Sequence, residues 1–165
     1  MKEIPFMMKA EEAINAIAKG AFLTVRSEGV QNTMTIGWAL LGVIWKKSTL
    51  MVAVRNSRYT FGIIEKAPDF TVSIPATDMS RELAFCGTKS GRDLDKFKIY
   101  NLETASARQV VSPIINVPGM HFECKIVYKS AMNPDFLDKN TDQSLYPQKD
   151  YHTLYFGEIL ACYEL

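Results

Sequence analysis

The chain reads as one mainly β domain with short helices, its strands closed into a barrel or a strongly curved sheet. Three features carry this. About six segments rich in Val, Ile, Thr, Tyr and Phe are separated by turn residues. The stretches with helical periodicity are brief, so they serve as connectors rather than as a layer. The 165 residues, 47% of them hydrophobic, are enough for one core, and no repeat, low-complexity run or linker divides residues 1–165. Closing the sheet removes exposed edges that strands this apolar would otherwise present.

Ala10, Ile14, Ile17, Ala18 and Ala21 follow the spacing of one helical face, with Gly20 where a C-cap belongs. Ala21 to Arg26 then reads as a strand and Ser27-Glu28-Gly29 as a turn. Met34 to Ile44 is a second strand, and Lys46-Lys47-Ser48 turns into a third, Thr49 to Val54, making a three-stranded meander. Ser57 or Thr60 caps a helix through Ile63, Ile64 and Ala67, which Pro68 ends before a strand at Phe70 to Ile74. Asp78 or Ser80 starts a helix that stops at Gly87, and Asp93 to Tyr100 forms another short one. His121 to Met132 and Tyr151 to Leu165 are the last strands, a possible long hairpin around the polar stretch Asn133 to Asp150.

Lysine plus arginine number 19 and aspartate plus glutamate 18, a formal net charge of +1. No overall field is therefore present to hold a nucleic acid or an anionic membrane, and an anion would have to be bound locally. No apolar run approaches the roughly twenty residues of a membrane span. Met1-Lys2-Glu3-Ile4-Pro5-Phe6 lacks the apolar core of a secretory leader, so a soluble, cytoplasmic protein is expected. Cys86, Cys124 and Cys162 are odd in number and widely spaced, which favours reduced thiols over disulfides or zinc. With His121 and His152 the only histidines, a multi-histidine metal centre is excluded and no metal is expected.

A bound phosphate needs convergent hydroxyls, backbone amides and guanidinium groups. Arg55, Ser57, Arg58 and Thr60 offer them between a strand and a helix, although the same residues also read as a capped helix start with two solvated arginines. Asn32, Thr33 and Thr35 can hydrogen-bond the edge of a planar heterocycle, with Met34 and Trp38 as apolar surface; the alternative is a strand whose hydroxyls face solvent. Cys86-Gly87-Thr88-Lys89-Ser90-Gly91-Arg92 is either an anion-cradling loop or a helix end followed by a turn, and it is not a Walker A sequence. His152 opens the last strand as a candidate acid, base or donor, or as a plain surface histidine. Asp93, Asp95, Glu65 and Asp69 show no pairing suited to carboxylate catalysis.

Asn32-Thr33-Met34-Thr35-Ile36-Gly37-Trp38, Arg55-Asn56-Ser57-Arg58-Tyr59-Thr60, the segment from Cys86 to Phe97 and Tyr151 to Ile159, in this order, resemble the flavin reductase-like, flavoredoxin-type proteins. The resemblance spans nearly the whole chain. It implies an FMN-binding split β-barrel, a homodimer with the flavin at or near the subunit interface, and NAD(P)H as a transient hydride donor to a small-molecule or protein electron acceptor. Asn32, Met34, Thr35 and Ile36 would then lie along the flavin ring. Arg55, Ser57, Tyr59 and Thr60 would hold the phosphate. Cys86, Gly87, Ser90 and Gly91 would close over the ribityl and phosphate end with charge from Lys96, and His152 would sit near the flavin or nicotinamide. One departure stands out: many relatives carry an Asp-Pro-Pro hairpin where this chain has Trp45-Lys46-Lys47-Ser48-Thr49. Without a Gly-x-Gly-x-x-Gly fingerprint, the nicotinamide would bind over the flavin rather than in its own domain.

Overall fold

In the computed structural model, which describes residues 2–3 and 5–165, a two-residue strand β1 (Lys2–Glu3) and a 3-10 turn precede α1 (Ala10–Ile17). Met1 and Ile4, on which the leader argument partly rests, lie outside the described residues. The main strands are β2 (Ala21–Ser27), β3 (Val30–Ile36), β4 (Ala39–Ile44), β5 (Lys47–Arg55) and, after α2 (Tyr59–Ile64), β6 (Asp69–Pro75). Next come α3 (Ser80–Thr88), α4 (Lys96–Ile99) and a small pair, β7 (Thr104–Ala105) with β8 (Ile114–Ile115). The long strands β9 (Gly119–Ala131) and β10 (His152–Glu164) close the chain, with α5 (Lys139–Leu145) between them.

The large sheet runs β3-β2-β6-β9-β10-β5-β4, antiparallel throughout, and β1 adds to the far end of β10. The outermost strands, β3 and β4, are consecutive in sequence, with only Gly37 and Trp38 between them. Three Cα–Cα steps span at most about 11 Å. The two edges must therefore approach each other at that end, which bends the sheet into a barrel that is split along β3 and β4. Met34 to Ile44 is thus two strands on opposite edges rather than one, and the expected meander is two separate hairpins, β2–β3 and β4–β5. Barrel closure, which no local pattern encodes, supplies the break.

Leu23 and Val25 of β2 point inward to meet Leu50, Val52, Val54, Phe70, Val72, Phe122 and Tyr155 in the main core. Phe22 points outward into a second cluster with Cys86, Leu102 and Ile115, covered by Leu83, Phe85 and Phe97 from the α3–α4 side. Period-two alternation thus gives β2 two apolar faces, because helices cover the one outside the barrel. Gly157 sits at a register shift in β10, where a Cβ would lie 2.6 Å from the Phe70 ring and from Cys124 Cβ. Only glycine lets that bulge cross the core.

Loop residues 108–112 are held by two buried carboxylates. Glu123 accepts from the Arg108 and Gln109 amides and the Tyr163 hydroxyl, and Asp69 accepts from the Val111 and Ser112 amides.

Local expectations shift in four places. Neither Ser57 nor Thr60 caps α2: Arg58 occupies that position without a side-chain bond, and Thr60 is buried inside the helix. Helix α3 continues through Gly87 to Thr88, because Gly87 packs against Thr35 rather than ending the turn. Of the segment Asp93 to Tyr100, only Lys96–Ile99 is helical, capped by Asp95 accepting from the Lys98 amide. The β4–β5 turn is Trp45-Lys46, both left-handed (φ 53° and 58°), so Lys47 and Ser48 already belong to β5. That geometry ordinarily selects Asn-Gly; here the Trp45 ring packs edge-on against Tyr128 and Phe156, with centroids 5.7 and 6.0 Å away.

Candidate functional site

Where the α3–α4 connection folds over the start of α2, a cavity of about 350 Å³ opens. Its lining includes Asn32 and Met34 from β3, Arg55, Ser57, Tyr59 and Thr60 from the β5–α2 junction, and Cys86, Ser90, Gly91 and Lys96 from the α3–α4 region. Segments distant in sequence therefore meet at one cavity. Among the described residues, four other hollows are roomier: those of about 490 Å³ beside Phe6 and Leu160, about 450 Å³ beside Met120 and about 610 Å³ between α1 and α3 carry no comparable set of cations and hydroxyls, and one of about 360 Å³ shares Arg58, Tyr59 and Arg92 with this cavity.

Thr35, Ile36 and Gly87 are not on its wall. Thr35 lies on the opposite face of β3 from Met34, where its hydroxyl donates to the Leu83 carbonyl at 2.6 Å and its Cβ would be 3.3 Å from a Cβ on Gly87. Ile36 is buried in the main core. Thr35 and Gly87 set the approach of α3 to β3 and so shape the cavity from behind. Gly91 has a sharper requirement, because a Cβ there would stand 2.1 Å from Asn32 Oδ1. Asn32 is fixed in turn by donating from Nδ2 to Thr60 Oγ1 at 2.8 Å.

Five cations, Arg55, Arg58, Lys89, Arg92 and Lys96, face one carboxylate, Asp150. Two of the five are committed. Lys96 is buried, its ammonium donating to the carbonyls of Thr33 at 3.0 Å and Cys86 at 2.8 Å. Burial lowers its pKa from the ordinary lysine value and raises that of the Cys86 thiol beside it. Arg55 lines the cavity yet donates to the carbonyls of Asp150 and Leu145, each at 3.1 Å, and lies over the Tyr146 and Trp38 rings. Arg92 stacks its guanidinium over Tyr59, 5.6 Å from the centroid.

Ser57 donates both its amide, at 3.2 Å, and its hydroxyl, at 2.6 Å, to the Asp150 carboxylate.

His152 is not on the cavity wall. It is buried with its Nδ1 2.7 Å from the Tyr146 hydroxyl and its ring 4.9 Å from that of Trp38. Burial, reinforced by the Arg55 guanidinium, pulls its pKa down to about 4, so the ring is neutral at physiological pH.

Sequence reasoning named Arg58 among the phosphate donors and put Thr88, Lys89 and Arg92 in the candidate anion-cradling loop, although the resemblance gave none of the four a role, and it did not single out Asp150. That aspartate lies 93 residues from Ser57 and is delivered by a left-handed Lys149 (φ 56°), which leaves no local signal. Among the described residues, no group of three His, Cys, Asp or Glu side chains is placed to hold a metal ion, and no helix is long and apolar enough to cross a membrane.

A model of the flavin reductase like domain matches residues 17–165. An uncharacterized protein of Archaeoglobus fulgidus is 27% identical over 139 residues, covering 84% of this chain and 68% of that protein. Among solved structures, the flavoredoxin of Methanosarcina acetivorans superposes with a TM-score of 0.70 at 25% identity, covering 88% of this chain and 68% of its own. The FMN-binding protein of Thermus thermophilus follows with a TM-score of 0.68 at 21% identity, covering 88% and 69%. Its mainly β barrel and a match over nearly its whole length place this chain in the flavin reductase-like family.

Proposed function

We propose that the protein binds FMN in the cavity between β3, α2 and the α3–α4 connection, and acts as an oxidoreductase that takes a hydride from NAD(P)H and passes electrons to an acceptor. The observation that carries this reading is the convergence on one 350 Å³ cavity of hydroxyls, amides and uncommitted guanidinium groups. Such a volume lies in the range of small-ligand sites, and the donor set suits a phosphate. The fit is to the phosphate and ribityl end: Arg58, Ser90, Arg92 and Thr88 offer donors, while Met34 and Tyr59 offer apolar and aromatic surface.

A bound flavin would supply the hydride chemistry itself. The chain's task is to hold and orient it. Gly91 lets the loop close on Asn32 and Tyr59, and Lys96 locks that loop to β3 through two carbonyls. Neutral His152 fixes Tyr146, and with it the segment that ends at Asp150.

A homodimer belongs to this reading. Strand β4 is an edge, and it exposes Leu40, Val43 and Ile44 beside Trp38 and Trp45. Apolar edges of this kind are ordinarily covered. A cytoplasmic setting belongs to it too, supported by three free, buried cysteines. The likeness to a flavoredoxin favours a second reading, a flavin-retaining electron carrier that neither nicotinamide reduces efficiently.

Titration with FMN, followed by anaerobic mixing with NADH and NADPH, separates these. Fast bleaching of the flavin band supports the reductase. A bound flavin that stays oxidised supports the carrier, and a protein that takes up no FMN removes both.

A further inference from the structure

The Asp150 carboxylate already holds the two Ser57 donors that a ligand phosphate would be expected to use. Resting on the flavin reading above, we propose that Asp150 is a built-in competing anion at the phosphate end of the cavity, one that lowers affinity for phosphorylated flavins specifically and keeps them exchangeable.

The backbone around Asp150 is fixed independently of its carboxylate. Arg55 grips the carbonyls of Leu145 and Asp150, the buried Tyr146 hydroxyl pairs with His152, and Asp142 receives the Tyr151 hydroxyl at 2.7 Å and the Lys149 ammonium. Asp150 is therefore carried to Ser57 by a segment anchored elsewhere, and its charge is not needed to keep that segment in place.

Across the cavity, Arg58, Lys89 and Arg92 have no carboxylate partner among the described residues. A phosphate monoester carries close to two negative charges at neutral pH. In the same cavity it and the Asp150 carboxylate repel, and only one of them can take the Ser57 amide and hydroxyl. The phosphate must either displace Asp150 or bind toward Arg58, Ser90 and Arg92. On either course the carboxylate opposes the phosphate and leaves the rest of the flavin untouched.

The test compares FMN with riboflavin, which lacks the phosphate, by fluorescence titration of the wild-type protein and Asp150→Asn. Asparagine keeps the size and can still accept from Ser57. The expected result is FMN binding about tenfold or more tighter in the variant, with riboflavin binding changed by less than about twofold. The gain should shrink when Ser57→Ala is added.

Unchanged or weaker FMN binding in Asp150→Asn, or an equal shift for both flavins, overturns the proposal while leaving the flavin reading intact. If neither flavin binds either protein, the flavin reading falls and takes this inference with it. Should Asp150→Asn misfold by circular dichroism, Asp150→Ser is titrated in the same way, with the same two outcomes.

Discussion

Replacing His152 by glutamine should flatten the acid side of the protein's stability profile. In the folded chain the imidazole is buried between Trp38 and Tyr146 with the Arg55 guanidinium nearby, which brings its pKa from 6.5 down to about 4. The unfolded chain takes up a proton on this ring near pH 6.5 and the folded chain does not, so unfolding gains protons as pH falls. Stability from this group is complete above pH 6.5 and is lost progressively toward pH 4. A depression of about 2.5 units corresponds to about 3 kcal/mol, of which about 2 kcal/mol has gone by pH 5. Urea denaturation of wild type and His152→Gln at pH 8 and pH 5, followed by tryptophan fluorescence, measures the difference between the two pH slopes. His121, whose pKa burial also lowers, is present in both proteins and cancels. Wild type should lose about 2 kcal/mol more than the variant over this interval. Equal losses, or an NMR titration of the His152 ring with a midpoint near 6.5, would refute the argument.

Gly91→Ala should cost flavin binding about tenfold or more, because its Cβ would displace Asn32 from Thr60; riboflavin titration checks it, and wild-type affinity would mean that the loop relaxes freely. Lys96→Met should lower stability by about 3 kcal/mol in thermal or urea unfolding, since the Thr33 and Cys86 carbonyls lose charge-assisted donors inside the protein. A change under about 1 kcal/mol would show that removing a buried charge offsets those losses.

How much was legible depended on how local each feature is. The β4–β5 hairpin could be read because alternation and a turn lie within seventeen residues, Ala39 to Arg55. The interruption at Gly37-Trp38 could not, because Met34 to Ile44 is apolar apart from Thr35 and two glycines, and only the meeting of two sheet edges divides it. Clustered hydroxyls and cations marked the segments around Ser57 and Ser90, which line one cavity. Thr35 and Ile36 were assigned to the site because a motif names a stretch, whereas a strand sends alternate residues to opposite faces and buries some of them deeper along its length. Arg55 illustrates a further limit. A guanidinium beside an expected phosphate looks like its ligand, yet the main-chain carbonyls that engage it come from a segment some ninety residues away. Asp150 reaches Ser57 by the same long route, so partner choice here is tertiary information.

The two-residue crossing at Gly37-Trp38 also bears on how the barrel assembles. Strands β2 to β5 form two hairpins with short loops, so both can zip locally at little entropic cost. Their outer strands, although terminal in the sheet, are leashed to one another from the start. What remains is to fill the gap between β2 and β5 with β6, β9 and β10, whose pairings span long sequence separations. That insertion should limit the folding rate. Substitutions at the β6–β9–β10 contacts should therefore slow refolding, while changes confined to the β4–β5 hairpin should act mainly on unfolding.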